Sequence, residues 1–184
     1  FNNNRLEAII NWKANASFYK DLCNLAEGFP KIDIIIRGKN IDWTKIPFFK
    51  NTLNTINRIS NIWIDDDYSK LNRQYELASK SDLVIAKPTS IGDELIASGK
   101  RVIYYDYFPN SSHYFASEYC NYNNCNIFAF SYAQLNKMVQ TVVNGEELLT
   151  DNDGVALLSG TIHGLFGKLF EKGRLEEITK LYKN

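Results

Sequence analysis

Long apolar runs are what this sequence most plainly lacks: stretches such as Leu83 to Ala86 and Ile127 to Phe130 are only four residues long, where a membrane-spanning helix needs roughly 18. That arithmetic excludes a helical span. A surplus of charge of one sign is also missing, since 21 Lys and Arg stand against 21 Asp and Glu. A groove that grips nucleic acid by displacing counterions needs a basic surplus, so nucleic acid is not an expected partner, whereas a small anionic ligand stays allowed. Cysteine is scarce, three in 184 residues. The odd number makes no disulfide framework, and Cys120 and Cys125 do not have the CxxC spacing of a structural zinc site. No metal is expected, and a reducing, cytoplasmic compartment is the simplest reading. Histidine is scarcer still, with two, and no Ser/His/Asp or Cys/His grouping, HExxH or P-loop pattern occurs.

What is present is an ordinary globular composition, 45% apolar and 23% charged, enough to bury a core as a single domain over residues 1–184. The chain opens at Phe1 with neither an initiator methionine nor a leader, as a piece of a longer polypeptide would. Short β-rich apolar runs alternate with helical patterns, the mark of a parallel sheet covered by helices. Five strands are predicted, at Ile32 to Arg37, Ile62 to Asp65, Leu83 to Ala86, Arg101 to Tyr105 and Ile127 to Phe130. Because their apolar residues run together rather than alternate, each is expected to be buried on both faces. The fold class that follows is α/β, a Rossmann-like parallel sheet of about five strands flanked by helices.

The helical stretches carry matching signals. Phe18, Leu22, Leu25 and Ala26 share one face, as do Leu71, Tyr75 and Ala78. Ser131 followed by Gln134 makes a capping box before Leu135, Met138, Val139 and Val142, and Asn144-Gly145 is the expected stop. Residues 41–60 are less regular and predict a helix that docks Trp43, Phe48 and Phe49. Residues 155–182 predict one or two helices broken by glycine.

Residues 81–106 carry the most information. They parse as strand, polar turn, short helix, glycine stop and strand, a compact right-handed crossover. The turn Lys87-Pro88-Thr89-Ser90-Ile91-Gly92 opens a helix at the carboxyl edge of the sheet, where backbone amides and the positive end of the helix dipole attract anions. Thr89 and Ser90 add hydroxyls, and Gly92, with no Cβ, would let a phosphate approach the main chain. Read by these residues alone, Thr89 or Ser90 is either a phosphate ligand or only a helix cap, worth roughly 1 kcal/mol. Lys87 offers a point charge. Arg37 and Lys39, beyond the first strand, stand at an edge where ligands gather in open α/β sheets.

Taken together, Ser81-Asp82, the strand Leu83 to Ala86, Thr89-Ser90, Glu94, Gly99-Lys100 and the strand Val102 to Tyr105 resemble the donor-binding half of GT-B glycosyltransferases. The likeness is greatest to the CDP-glycerol glycerophosphotransferase type and related bacterial surface-polysaccharide enzymes. It covers roughly residues 60–110 and is only topological elsewhere. The resemblance implies that Thr89, Ser90 and the neighbouring amides of Ile91 and Gly92 hold the pyrophosphate of a nucleotide-sugar or CDP-polyol donor, and that Glu94 lies toward its ribose. It implies a transferase with no cofactor, its glycan acceptor held by an N-terminal half; relatives that act on lipid-linked acceptors meet the inner membrane face through that other half, which leaves membrane association of the whole enzyme open. The chain departs from the pattern at Lys87-Pro88, and at Arg37-Gly38-Lys39-Asn40, where relatives carry a histidine. Two alternatives follow: a nucleotide-sugar 2-epimerase of the same fold, or a non-catalytic nucleotide-binding or interaction module.

The remaining polar features are weighed more plainly. Asp65-Asp66-Asp67 follows a strand but has no receiver-domain acids elsewhere, and is expected to be a solvated loop whose last Asp caps the next helix. His113, in the loop after the fourth strand, is the candidate for contact with donor or acceptor, although no carboxylate partner is evident and the catalytic residues stay unassigned. His163 is expected to be structural.

Overall fold

The computed structural model describes residues 3–70, 72–87, 89–105, 127–146 and 148. In chain order the elements are α1 (Asn3–Gly28), β1 (Ile34–Ile36), two 3-10 turns (Asp42–Lys45 and Pro47–Phe49), α2 (Lys50–Ile56), β2 (Ile62–Ile64), α3 (Arg73–Lys80), β3 (Val84–Ala86), α4 (Ser90–Ala97), β4 (Val102–Tyr105), β5 (Phe128–Ala129) and α5 (Tyr132–Val143). They fall into two compact units, within residues 1–71 and 72–184. A strand forms within each of the five expected segments, shorter than expected by one to three residues. Their hydrogen bonds join them as two parallel sheets, β1-β2 in the first unit and β3-β4-β5 in the second. The chain is therefore α/β with short parallel sheets. The predicted tail helices and Leu71 lie outside the described residues.

In the first unit β1 and β2 run in register, Ile34 beside Ile62 and Ile36 beside Ile64. Helix α1 buries Phe18, Leu22, Leu25 and Ala26, the face its periodicity predicted. Its end is tied to the sheet by one side chain: the Asn61 amide donates to the carbonyls of Ala26 at 2.9 Å, Phe29 at 3.2 Å and Ile32 at 2.8 Å. Backbone carbonyls that leave a helix need such donors, because an unpaired buried carbonyl is costly. Of the three aromatics expected to dock, Trp43 and Phe49 do so, from 3-10 turns rather than from a helix, while Phe48 is 45% exposed. Tyr19 of α1 stacks on Trp43 with centroids 4.3 Å apart, and Trp43 meets Phe49 edge-on at 5.5 Å. Pro47 begins the second 3-10 turn, where its fixed φ is already correct.

One expectation is corrected here. Strands buried on both faces were predicted, but Ile35 and Trp63, directly opposite each other in register, are 40% and 41% exposed. Alternation along a strand sends these two side chains to the face opposite Ile36 and Ile62, which are buried.

The second unit has its core on β4, whose four residues are all buried, with Ile103 and Tyr105 at 0% exposure. Helix α3 turns Tyr75 and Ala78 inward, as predicted. Helix α4 ends in a two-bond lock: the Gly99 amide donates to Ile96 O at 2.9 Å and the Lys100 amide to Leu95 O at 3.0 Å. Gly99 has φ +78°, the left-handed conformation that this helix stop requires and that glycine adopts without strain. Lys100 then reaches back, its Nζ donating to Ser79 O at 2.7 Å and Ser81 O at 3.2 Å at the end of α3. Thus Ser81 and Gly99-Lys100, which stood out in the sequence, brace the crossover. Helix α5 starts at Ser131, whose Oγ accepts from the Gln134 amide at 3.3 Å, while Gln134 Oε1 accepts from the Phe130 amide at 2.7 Å. It stops at Asn144-Gly145, as predicted. Among the described residues no helix is long and apolar enough to cross a membrane.

Burial, and secondarily the nearby Tyr68, push the Tyr19 phenol from 10.0 up to about 12. A pKa raised in the folded state leaves stability intact below the unfolded value and removes it as pH rises toward the folded one. Urea midpoints should therefore hold below pH 10 and fall between pH 10 and about 12, and Tyr19→Phe should flatten part of that slope. An unchanged slope in the variant would contradict the burial of the phenol.

Candidate functional site

The turn between β3 and α4 is built where the sequence placed it. β3 ends at Ala86 and Lys87, partly buried, leaves the carboxyl edge of the three-stranded sheet. Thr89 is the N-cap of α4, with extended backbone at φ −153° and ψ 154°. Its hydroxyl makes no capping hydrogen bond, and the residue is exposed. The cap is thus achieved by backbone geometry, and the side chain is not occupied by its own helix. Ser90 is the first helical residue and Ile91 the second, and the first turn closes through the Gly92 amide to Thr89 O at 3.0 Å. The Gly92 amide, expected to face a phosphate, is thus engaged by Thr89 O, whereas the amides before it open the helix, where donors have no intrahelical acceptor and the dipole favours an anion.

Gly92 is corrected in its role. A Cβ built on it would stand 2.5 Å from Tyr104 Cε1 and 2.7 Å from Tyr104 Oη. The space that was expected to admit a phosphate is filled by the ring of Tyr104, itself 1% exposed. Glycine is needed here so that α4 can lie against β4. Glu94, one turn into α4, is 7% exposed, and one of its oxygens, Oε2, accepts a hydrogen bond from the Tyr75 hydroxyl of α3. A buried carboxylate requires such a donor.

Lys87, Thr89, Ser90, Ile91 and Gly92 lie at the β3–α4 turn of the second unit and Glu94 is buried one helical turn on, whereas Arg37 and Lys39 belong to the first unit. Lys39 is exposed. Arg37 is not: its Nη1 donates to Asp65 Oδ2 and, at 2.9 Å, to Asp67 O, and its guanidinium lies 4.4 Å over the Tyr68 ring. The Tyr68 hydroxyl in turn donates to Gly38 O at 3.0 Å. Three protein groups already engage the guanidinium that the sequence offered to a phosphate.

The acidic run is corrected with it. Asp65 is buried against Arg37 rather than solvated, and Asp67 accepts from the Ser69 amide at 3.1 Å in a local turn. The N-cap of α3 is Asn72. The pair follows from strand register rather than from a local signal: Ile36 beside Ile64 in a parallel pairing places the next residues, Arg37 and Asp65, side by side. His113 lies outside the described residues. Among the described residues no group of three or more His, Cys, Asp or Glu is placed to hold a metal ion.

No family model, no curated protein and no solved structure matches this chain.

Removing one partner of a buried ion pair strands the other charge, typically at about 3 kcal/mol, whereas replacing both with apolar groups costs much less. Arg37→Met should thus lower unfolding stability in urea by about 3 kcal/mol, and Arg37→Met with Asp65→Leu should recover most of the loss. Additive losses in that cycle would show that the two side chains do not act as a pair.

Proposed function

We propose that this chain is the donor-binding half of a two-domain GT-B transferase, its strands continuing a Rossmann-like parallel sheet, and that it holds the pyrophosphate of a nucleotide-activated donor at the β3–α4 turn. The observation that carries the reading is Thr89: it caps α4 with extended backbone and no side-chain hydrogen bond to the helix, at the carboxyl edge of a parallel sheet. Ligands of open α/β folds gather at that edge. The likeness of residues 81–106 to donor-binding turns supports the same assignment. In the proposed reaction the amides, with Thr89 and Ser90, stabilise the negative charge that builds on the departing pyrophosphate, and they do so without rearranging. Lys87 contributes a point charge. A sugar or polyol phosphate passes to a glycan acceptor held by the other half, which also supplies the general base.

Arg37 drops out of the proposed donor contacts, because moving it would strand Asp65. That same observation favours a second reading, a nucleotide-binding module without catalysis, in which the turn binds but no further phosphate ligand completes a reactive site.

Titration with CDP, UDP, GDP and ADP, followed by calorimetry and thermal shift, tests the reading common to both. Binding to the folded state stabilises it by mass action, about 2.7 kcal/mol at a hundredfold excess over Kd. One nucleotide should raise the melting temperature selectively. Thr89→Ala with Ser90→Ala should weaken it by about tenfold, the loss of one good hydrogen bond to a charged group, with the circular dichroism spectrum unchanged. Binding by the wild type that the double variant leaves intact would reduce both residues to helix caps.

A further inference from the structure

We infer that Asn144 is a deamidation site latched by the cap that ends α5, released for conversion to aspartate and isoaspartate when the last turn of the helix opens. Asn144-Gly145 is the one Asn-Gly pair in the chain, and both residues are exposed. The reaction consumes only water. The backbone nitrogen of Gly145 attacks the side-chain carbonyl carbon of Asn144, a C–N bond forms, and ammonia leaves carrying the proton from the Gly145 amide. Water then opens the resulting five-membered imide: attack at the side-chain carbonyl yields aspartate, and attack at the backbone carbonyl yields isoaspartate. A glycine nitrogen is well suited to the first step, because no Cβ crowds its approach. Nothing in this chemistry involves the β3–α4 turn or a nucleotide.

The folded chain holds these atoms apart. Asn144 has φ −76° and ψ −2°, and a ψ near zero eclipses the Gly145 nitrogen with the backbone nitrogen of Asn144, whereas ring closure needs it on the side of Cβ. The nitrogen is also committed: the Gly145 amide donates to Val142 O at 2.9 Å and the Glu146 amide to Thr141 O at 3.0 Å. With Gly145 at φ +80°, these are the paired bonds of a Schellman cap. The electrophile is held as well, since Asn144 Oδ1 accepts from Gln140 Nε2 at 2.7 Å, one turn back along the helix. Every one of these restraints lies in the final turn, so they are lost together when it frays. Helix ends are among the parts of a fold that open at least cost, and a reaction much slower than fraying proceeds in proportion to the open fraction. The product does not close again as before. Either acid puts a negative charge at the negative end of the α5 dipole, and isoaspartate lengthens the backbone before Gly145 by one atom, out of step with the paired cap bonds. The latch thus turns local fraying into a permanent uncapping of α5.

The test follows residue 144 by peptide mass spectrometry while the 184-residue chain is incubated at mildly alkaline pH, folded in buffer and unfolded in urea. Conversion should run in urea and, about tenfold or more slowly, in the folded chain. Val143→Pro removes an amide donor from the last turn and clashes with the preceding one, at a position 47% exposed, so the core is untouched. In that variant the folded rate should rise several-fold toward its own rate in urea. A chain that converts at equal rates folded and unfolded, or a ratio that Val143→Pro leaves unchanged, would overturn the latch. No conversion at Asn144 in urea would overturn the site itself. The wild-type comparison needs no substitution, so it decides the matter even where the variant fails to fold.

Discussion

The contact on which the second unit depends is the Tyr104 ring lying where a Cβ of residue 92 would be. β4 is the buried middle strand of its sheet, and Tyr104 is its largest fully enclosed group together with Tyr105. Close packing allows little tolerance at such a position, since even one added methyl group must displace something. Gly92 therefore fixes how near α4 approaches β4, and through that distance it fixes where the helix begins. Everything proposed for the turn at Lys87, Thr89 and Ser90 follows from the placement of that helix end. In the proposed site the glycine acts indirectly, by seating the helix.

The first unit shows the opposite use of a sheet edge. At the carboxyl ends of β1 and β2 the strands present Arg37 and Asp65 side by side, and the two close on each other under the Tyr68 ring. Low solvent access strengthens their attraction and equally raises the cost of separating them. An arginine in that state is a structural strut. The same topological location thus carries an exposed helix N-cap, Thr89, in one unit and a self-satisfied ion pair in the other.

The local grammar of the sequence was legible where one residue decides one feature. Ser131 and Gln134 marked the start of α5, Gly145 its end, and the spacing of Phe18, Leu22, Leu25 and Ala26 the inner face of α1. Strand positions were legible because β-rich runs stood between helical ones. Pairing was less so. The open face at Ile35 and Trp63 could not be read, because three consecutive isoleucines look alike whether one side or both are covered. The Arg37 and Asp65 pair needed the register of two strands 28 residues apart, and the three-carbonyl grip of Asn61 needed the path of the chain after α1. The candidate turn was found by its residue types, but the reason for its glycine and the partner of Glu94 are properties of packing between α3, α4 and β4, which no local pattern encodes.

The central claim is that the helix end at Thr89 and Ser90 receives a pyrophosphate. Inorganic pyrophosphate titrated into the isotopically labelled chain, with each backbone amide followed by nuclear magnetic resonance, tests it without any assumption about base or sugar. The account predicts saturable shifts centred on the amides of Thr89 to Gly92. Shifts centred instead on Arg37 and Lys39, or none at millimolar concentration, would contradict it.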